Sequence, residues 1–186
     1  MVELTIEITN FCENDCDFCS SDAKPSGGHL PFDKITEFLS EYECKNHIDP
    51  ISRINISGGE PLAHPDFYKI LQYCERITDN VWVYTNAIKK LAYNSHVIDE
   101  VHVMANVCVV PGWENYIPQG NFQIHLLKLL PQGRGINFGR EPITASGNFN
   151  GEKCILCTQP TLKANGEVAV APCRKTQSIL AVKRRK

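Results

Sequence analysis

Apolar and polar residues alternate at the start of the chain, where polar residues separate Leu4, Ile6 and Ile8. This period of two predicts a β-strand with one buried face. A helical spacing follows Pro31, a residue that suits the first turn of a helix. The apolar positions of this predicted helix are Phe32, Ile35, Leu39 and Tyr42. The chain therefore opens with a predicted strand, a loop and a helix.

The same alternation of elements continues downstream. Ile54 and Ile56 indicate a second strand, and Pro65 begins a second predicted helix. The remaining predicted elements are a third strand at 81–84, a short helix at 88–93, a fourth strand at 101–110 and a fifth at 122–130. Strands that alternate with helices are typical of βαβ units and a parallel sheet, so we predict the α/β class.

Candidate chemistry follows the predicted strand ends. Binding sites of parallel sheets form beyond the carboxyl ends of the strands. The loops at these ends are the cysteine loop at 12–19, Gly58-Gly59-Glu60, Thr85-Asn86 and Gln132-Gly133-Arg134. We therefore expect a single site at one edge of the sheet.

Composition restricts the functional classes only broadly. The 186 residues are 42% hydrophobic and 22% charged, as in a globular protein with one core and a small appendage. A net charge of −2 creates no global field that attracts nucleic acid or an anionic membrane. We interpret the basic residues 183–186 as a solvated tail, with a patch for RNA or an acidic partner as the alternative. No apolar run or signal-peptide pattern predicts a membrane span or secretion, so we expect a cytoplasmic protein.

The nine cysteines are numerous for this length, and their number is odd. Secreted disulfide frameworks usually have an even number, whereas cysteines in short C-x2-C units indicate metal ligands in a reducing cytosol. Cys44, Cys74 and Cys108 lie within strand or helix patterns and are interpreted as small buried hydrophobic residues.

Cys12, Cys16 and Cys19 form a C-x3-C-x2-C unit after the first strand. Three thiolates can hold three irons of a [4Fe–4S] cube, which leaves the fourth iron open to a small molecule. An electron-transfer cluster normally has four cysteine ligands. The alternative is a structural zinc site, but zinc requires four ligands and no fourth Cys or His lies in this loop. The unit therefore favours a cluster that takes part in chemistry.

The residues around these cysteines resemble the radical S-adenosylmethionine (radical SAM) superfamily. The match comprises the segment 9–19, with Phe18 just before the third cysteine, and a second motif at 56–61. The resemblance covers roughly residues 3–140. It implies a partial parallel β/α barrel, a SAM-binding [4Fe–4S] cluster on Cys12, Cys16 and Cys19, and cleavage of SAM to a 5′-deoxyadenosyl radical that abstracts hydrogen from a substrate.

The resemblance also implies further residues that bind SAM. Gly58 and Gly59 let the backbone approach the ligand, and the Glu60 carboxylate accepts a hydrogen bond from the SAM ammonium group; the alternative for the glycines is an ordinary strand-end turn. Asn86 and Asn106 touch the SAM carboxylate or ribose, or else cap their strands. The element at Gln132, Gly133 and Arg134 meets the adenine.

The predicted barrel is shorter than that of the family. Only the segment 111–121 connects the fourth and fifth strands, and its Gly112, Pro118 and Gly120 argue against a crossover helix. We therefore expect a truncated barrel. Either the fifth strand pairs antiparallel, or the C-terminal segment or a second subunit in a homodimer covers the open edge.

Residues 141–186 are predicted to form a second unit after the barrel at 1–140. Cys154, Cys157 and Cys173 flank Asn165-Gly166, a strong signal for a β-hairpin. This small metal-binding lobe resembles the Twitch or SPASM extensions that carry an auxiliary [4Fe–4S] cluster in some radical SAM enzymes. A zinc site and the absence of any metal remain the alternatives.

The function that the resemblance implies is a radical SAM enzyme whose substrate is a peptide, a protein or a small molecule, with flavodoxin or ferredoxin as reductant. The Gly-Arg element at 133–134 favours peptide or protein modification. One alternative is a cyclase that acts on a nucleotide or a cofactor precursor. The other is a non-catalytic iron–sulfur subunit that only transfers electrons.

Overall fold

The computed structural model describes residues 1–17, 19, 21–45, 50–86, 102–109, 123–128 and 159–169. The first half holds β1 (Val2–Glu7), α1 (Phe32–Lys45), β2 (Ile51–Ser57), a 3-10 helix (Pro61–Ala63), α2 (Phe67–Glu75) and β3 (Val81–Thr85). The second half holds β4 (His102–Val109), β5 (Gln123–Lys128), β6 (Thr161–Leu162) and β7 (Val168–Ala169).

The strands form one sheet, in which the order is β5-β4-β3-β2-β1-β6-β7. Every neighbouring pair is parallel except β6 and β7. This confirms the predicted α/β class with a mainly parallel sheet. The carboxyl ends of the first five strands therefore share one edge, as a common site requires.

The face of the sheet that packs on the helices is apolar. Alternate residues of the strands, such as Ile6, Ile56 and Val83, are fully buried in the core against Ile35 of α1 and Ile70 of α2. Burial of each such side chain stabilises the fold by about 1.5–3 kcal/mol. The period of two in the strands and the helical spacing in α1 and α2 thus specify the same core.

The opposite face of the sheet is polar. Asn55 is buried and donates to Glu3 at 2.9 Å, and Tyr84 donates to Asn55 at 3.5 Å. Arg53 pairs with Glu3 at 3.3 Å and lies over the ring of Trp82, 4.9 Å from its centre. These contacts link the polar residues of β1, β2 and β3 on this face, although Arg53 Nε is buried without a hydrogen-bond partner.

The predicted hairpin at Asn165-Gly166 is confirmed. Its two strands pair antiparallel, and Gly166 has a φ of 84°, a conformation that glycine adopts without strain. The hairpin extends the main sheet because β6 pairs parallel with β1, and Leu162 joins the core at 2% exposure. Lys163 forms an ion pair with Glu7 at 2.6 Å. The hairpin therefore covers the β1 side of the sheet.

Of the two alternatives for the truncated barrel, the antiparallel fifth strand is wrong. β5 pairs parallel with β4, from Met104 opposite Gln123 to Val109 opposite Lys128. Parallel pairing needs a crossover of roughly a dozen residues, and the connection at 110–122 supplies that length without requiring a regular helix. In addition, α2 begins at Phe67, after a separate 3-10 helix, two positions later than Pro65 suggested.

Other predictions lie outside the described residues, among them the short helix at 88–93 and the boundary between the two predicted units near residue 140. Within the described part of the chain, none of the helices combines the length and apolar character that a membrane span requires.

Candidate active site at the carboxyl edge of the sheet

The cysteine loop begins where β1 ends, and the returning chain closes its base. Leu30 donates to the carbonyl of Ile8 at 2.9 Å, and Asn10 donates to Gly28 at 2.9 Å. Cys12 then donates to Lys24 at 3.2 Å. These backbone hydrogen bonds fix both ends of the loop before any ligand is considered.

The end of β2 holds the other side of the loop. The amide of Gly59 donates to Thr9 at 2.7 Å, and that of Glu60 donates to Phe11 at 2.9 Å. Gly58 has a φ of +145°, and a Cβ atom on Gly59 would lie 2.2 Å from the carbonyl oxygen of Phe11. Both glycines are therefore required by a close approach within the chain itself. Their predicted approach to SAM stays a prediction.

Within the loop, tight turns determine the backbone conformation around the cysteines. Cys19 donates through its amide to the carbonyl of Cys16 at 3.1 Å, and the amide of Ala23 donates to Cys19 Sγ at 3.4 Å. Asp15 and Asp22 have positive φ values of 42° and 54°, which aspartate tolerates better than most residues. The three cysteine side chains are half-buried. This leaves each sulfur near the surface of the loop.

Glu60 lies at the centre of the site and is only 3% exposed. Its Oε1 atom accepts hydrogen bonds from the Leu62 amide at 3.0 Å and from the Thr85 hydroxyl at 2.8 Å. Its Oε2 atom accepts one from the Asn86 amide at 2.8 Å. The carboxylate thus caps the 3-10 helix and joins the ends of β2 and β3.

Cys12 lies next to this carboxylate. Burial raises the pKa of the Cys12 thiol, and the negative charge of Glu60 raises it further, whereas the Asn14 amide and the Asn86 side chain lower it. Asn86 Nδ2 is 4.0 Å from Cys12 Sγ. The structure therefore brings together Cys12, Cys19, Glu60 and Asn86, which the sequence assigned to one site.

The donor set fits an iron–sulfur cube. Among the described residues, no three His, Cys, Asp or Glu side chains are close enough together to hold one metal ion. A cube does not need such a group, because each thiolate binds a different iron. Ligation requires the thiolate, so the raised pKa of Cys12 couples cluster binding to the loss of a proton.

Two histidines, His29 and His64, lie at the base of the cysteine loop. Thr9 is fully buried; its hydroxyl donates to Gly28 at 3.0 Å, accepts from the Phe11 amide at 3.0 Å and lies 2.9 Å from His29 Nδ1. This pattern makes His29 Nδ1 the donor to Thr9. His29 packs edge-on against buried His64 at 5.0 Å, so both rings support the base of the loop.

Other predicted site residues are placed only in part or not at all. Asn106 lies on β4 in register with His125, one position after Ala105, the partner of Thr85. Its backbone therefore reaches the same sheet edge as Asn86. The predicted site residues outside the described part of the chain are Phe18, Gln132, Gly133, Arg134, Cys154, Cys157 and Cys173.

The sequence placed Thr85 at the site edge but predicted no contact with Glu60 for it or for the amide of Leu62, although both bind the Glu60 carboxylate. A polar residue at the end of an apolar strand was the available signal for Thr85. The amide of Leu62 left no such signal, because every residue except proline has one.

Comparison with curated proteins identifies relatives that share less than half of this chain. The mycofactocin maturase MftC of Mycobacterium tuberculosis (strain CDC 1551 / Oshkosh) is 34% identical over 46% of this chain and 21% of its own length. MftC of Mycobacterium ulcerans (strain Agy99) is 33% identical over 46% and 22%. The chain thus spans about a fifth of the length of these relatives.

A family match covers a larger part of the chain. Residues 6–106 match the Radical SAM superfamily, a span that includes the cysteine loop, Gly58-Gly59-Glu60, Asn86 and Asn106. The matched residues build the sheet edge at which the described site residues converge. The chain belongs to the Radical SAM superfamily.

Proposed function

We propose that the protein is a radical SAM enzyme that holds a [4Fe–4S] cluster on Cys12, Cys16 and Cys19 and binds SAM beside it. The observation that carries the proposal is the convergence of Cys12, Glu60 and Asn86 at the carboxyl edge of a parallel sheet. When bound, the cluster and SAM supply reductive cleavage of SAM and a radical that abstracts hydrogen from the substrate.

The chain contributes binding and orientation to this reaction. The buried Glu60 carboxylate accepts a hydrogen bond from the SAM ammonium group, and such a charge-assisted bond is strong where water is excluded. At Gly58 and Gly59 the backbone approaches the methionyl part of SAM closely. Asn86 and Asn106 bind the carboxylate or the ribose of SAM. Placing the reacting carbon beside one substrate hydrogen then decides which hydrogen is abstracted.

The fold proposed for residues 1–140 is the truncated partial β/α barrel of this family. The parallel order β5-β4-β3-β2-β1 and the polar face opposite the helices support it. Gln132, Gly133 and Arg134, which follow β5 in the sequence, are the proposed adenine-binding residues. Phe18 immediately precedes Cys19 in the sequence, as in the family motif.

The proposed substrate is a peptide or protein. The relatives are named as maturases of mycofactocin, and maturation modifies a precursor that has already been made. A nucleotide or cofactor-precursor cyclase is the second candidate, because the family resemblance extends to such enzymes. Flavodoxin or ferredoxin is the proposed reductant and the cytoplasm the proposed location. A homodimer at the β5 side of the sheet is the proposed assembly.

A second [4Fe–4S] cluster is proposed on Cys154, Cys157 and Cys173. The hairpin between them supports it: β6 runs parallel to β1 and β7 returns, so Gln159 and Ala169 both lie towards the amino edge of the sheet. A second cluster in this part of the chain would hold substrate or accept an electron.

The decisive experiment is SAM cleavage by anaerobically reconstituted, dithionite-reduced protein. We expect 5′-deoxyadenosine from the parent chain and from Cys74→Ala, but none from Cys12→Ala with Cys16→Ala. Glu60→Gln should weaken SAM binding by about 10- to 150-fold, which corresponds to the loss of one hydrogen bond to a charged group. Fully loaded protein that makes no 5′-deoxyadenosine, even with cell extract as a source of substrate, would favour a subunit that only transfers electrons.

Cys173→Ala tests the second cluster. We expect the variant still to cleave SAM without converting substrate, because the first cluster is held by a different loop. Formation of the modified product should be lost. Equal loss of both would indicate a metal that only stabilises the fold, as would stoichiometric zinc in the parent protein.

A further inference from the structure

Thr85 occupies an unusual position for a polar side chain. It is the last residue of β3 and is 3% exposed. Its side chain points to the same buried face of the sheet as those of Val81 and Val83. Valine at this position would continue the apolar pattern with nearly the same shape. The hydroxyl is the main chemical difference, and it donates to Glu60 Oε1 at 2.8 Å. Burial of a hydroxyl is costly unless it is bonded, so this contact accounts for the threonine.

The hydrogen bonds to Glu60 come from two directions. The Leu62 amide belongs to the 3-10 helix that Glu60 itself caps, whereas Thr85 and the Asn86 amide approach from β3. The terminal torsion of a glutamate side chain is soft and has no narrow preferred angle. Donors on both oxygens therefore determine the plane of the carboxylate. Thr85 is the side-chain donor among these three, and its contribution can be removed by substitution.

We propose that Thr85 is a positioning residue of the SAM site, whose hydroxyl fixes the rotation of the Glu60 carboxylate so that it faces the methionyl ammonium group. This inference rests on the proposed function, in which Glu60 binds that group. It assigns recognition of a primary ammonium ligand to a pair of residues from neighbouring strand ends, Glu60 after β2 and Thr85 at the end of β3.

The proposal and a purely structural role for Thr85 predict different behaviour. If the hydroxyl only satisfied its own burial, valine would remove a polar group from an apolar setting, and SAM affinity would not change. If the hydroxyl helps to orient Glu60, valine leaves Oε1 with the Leu62 amide and without its Thr85 donor, so the carboxylate is held less firmly and SAM binds more weakly. Serine keeps the hydroxyl and should restore binding, even though it loses a methyl group from the core.

The test is the dissociation constant of SAM, measured on the anaerobically reconstituted full chain. We expect Thr85→Val to raise it about 10-fold and Thr85→Ser to stay within about threefold of the parent. Thr161→Val is the matched control. Thr161 is also a fully buried threonine on a strand, but its hydroxyl donates to the carbonyl of Gln159 at 2.9 Å. This control should bind SAM like the parent. Iron content and thermal denaturation are measured on every variant.

A double-mutant cycle separates positioning from general damage. In a Glu60→Gln background, Thr85→Val should change SAM affinity less than about threefold, because the charge that Thr85 orients is gone. Thr85→Ala replaces Thr85→Val in the cycle if valine lowers the iron content. A normal affinity in Thr85→Val would overturn this inference alone. Equal losses in the serine and valine variants would do the same. Failure of the parent chain to bind SAM would overturn the proposed function together with this inference.

Discussion

Cys12 and Cys74 belong to two regions that the chain stabilises by opposite means. Cys74 lies in α2 with no exposed surface, among apolar residues such as Ile70 and Leu71, and burial raises the pKa of its thiol far above the ordinary value. Cys12 is half-buried in a loop whose base is closed by backbone hydrogen bonds, with the Asn86 side chain near its sulfur. The same side chain is thus a hydrophobic residue in one region and the proposed metal ligand in the other.

The difference shows what makes a cysteine available for iron. Burial among apolar side chains raises the pKa of the Cys74 thiol far above its ordinary value, whereas N–H donors from Asn14 and Asn86 oppose the smaller rise at Cys12 that burial and Glu60 cause. The cysteine loop has these features because β2 and the returning chain hold it at the sheet edge. The core around Cys74 depends instead on packing. Each region should therefore respond to its own kind of substitution.

The largest expected effect is on iron content. Cys12→Ala with Cys16→Ala should remove the first cube, about four irons per chain, because only one thiolate of the loop remains. Cys74→Ala should keep the iron of the parent protein. Iron and sulfide analysis after anaerobic reconstitution checks both. Loss of iron in Cys74→Ala would contradict the distinction between a cysteine in the cluster site and a cysteine in the core, since a core cysteine would then be needed for the cluster.

Gly59→Ala should strongly destabilise the loop region. The new Cβ would lie 2.2 Å from the carbonyl oxygen of Phe11, so one backbone segment must move. We expect a loss of about 3 kcal/mol in the free energy of unfolding, together with reduced cluster loading. Gly28→Ala is the control, because a Cβ there meets no atom within 4 Å. Similar urea midpoints for the two variants would contradict the close approach.

Cys74→Ser tests the core region. A serine hydroxyl in this apolar setting should lower the free energy of unfolding by about 1–3 kcal/mol, because a buried hydroxyl without a partner loses its hydrogen bonds to water. Cys74→Ala buries no polar group and should cost less. SAM cleavage should persist in both, because the site lies at the sheet edge. A stability of Cys74→Ser equal to that of the parent would mean that the thiol site is more polar than its burial indicates.

The smallest effect concerns pH. The pKa of Cys74 is raised by burial, so the folded protein keeps this proton at a pH where the unfolded chain has lost it. Its contribution to stability is complete below the unfolded pKa of about 8.5 and falls as pH rises above that value, by at most about 1.4 kcal/mol per pH unit. Urea denaturation under reducing conditions between pH 8 and 10 should show a shallower decline for Cys74→Ala. Parallel curves for the two proteins would place the Cys74 thiolate in contact with water.

Much of the fold was predictable from local patterns. The alternation around Leu4 and Ile6 and the helical spacing of Ile35 and Leu39 correspond to β1 and α1, since periods of two and 3.6 each produce one buried face. The hairpin at Gly166 was predictable because its turn requires a positive φ. The parallel direction of β5 was not predictable, because pairing direction depends on the path of the connection through space.

The candidate site was predictable as a set of residues but not as a set of contacts. The cysteine spacing and the motif ending at Glu60 indicated one site, and Cys12, Glu60 and Asn86 do converge. The hydroxyl of Thr85 as a donor to Glu60 could not be found from sequence, because Glu60 follows β2 whereas Thr85 ends β3, 25 residues further along the chain.

The sequence by itself determined the α/β class, the order of most elements and the family, because these depend on periodicity and on motifs contained in short segments. Only the tertiary structure decided that Gly59 is required by the Phe11 carbonyl, that Glu60 joins β2 to β3, and that the hairpin extends the sheet beside β1. The physical reason is that these contacts join segments far apart in the chain. Their atoms become neighbours only when burial of the shared apolar face brings the strands together.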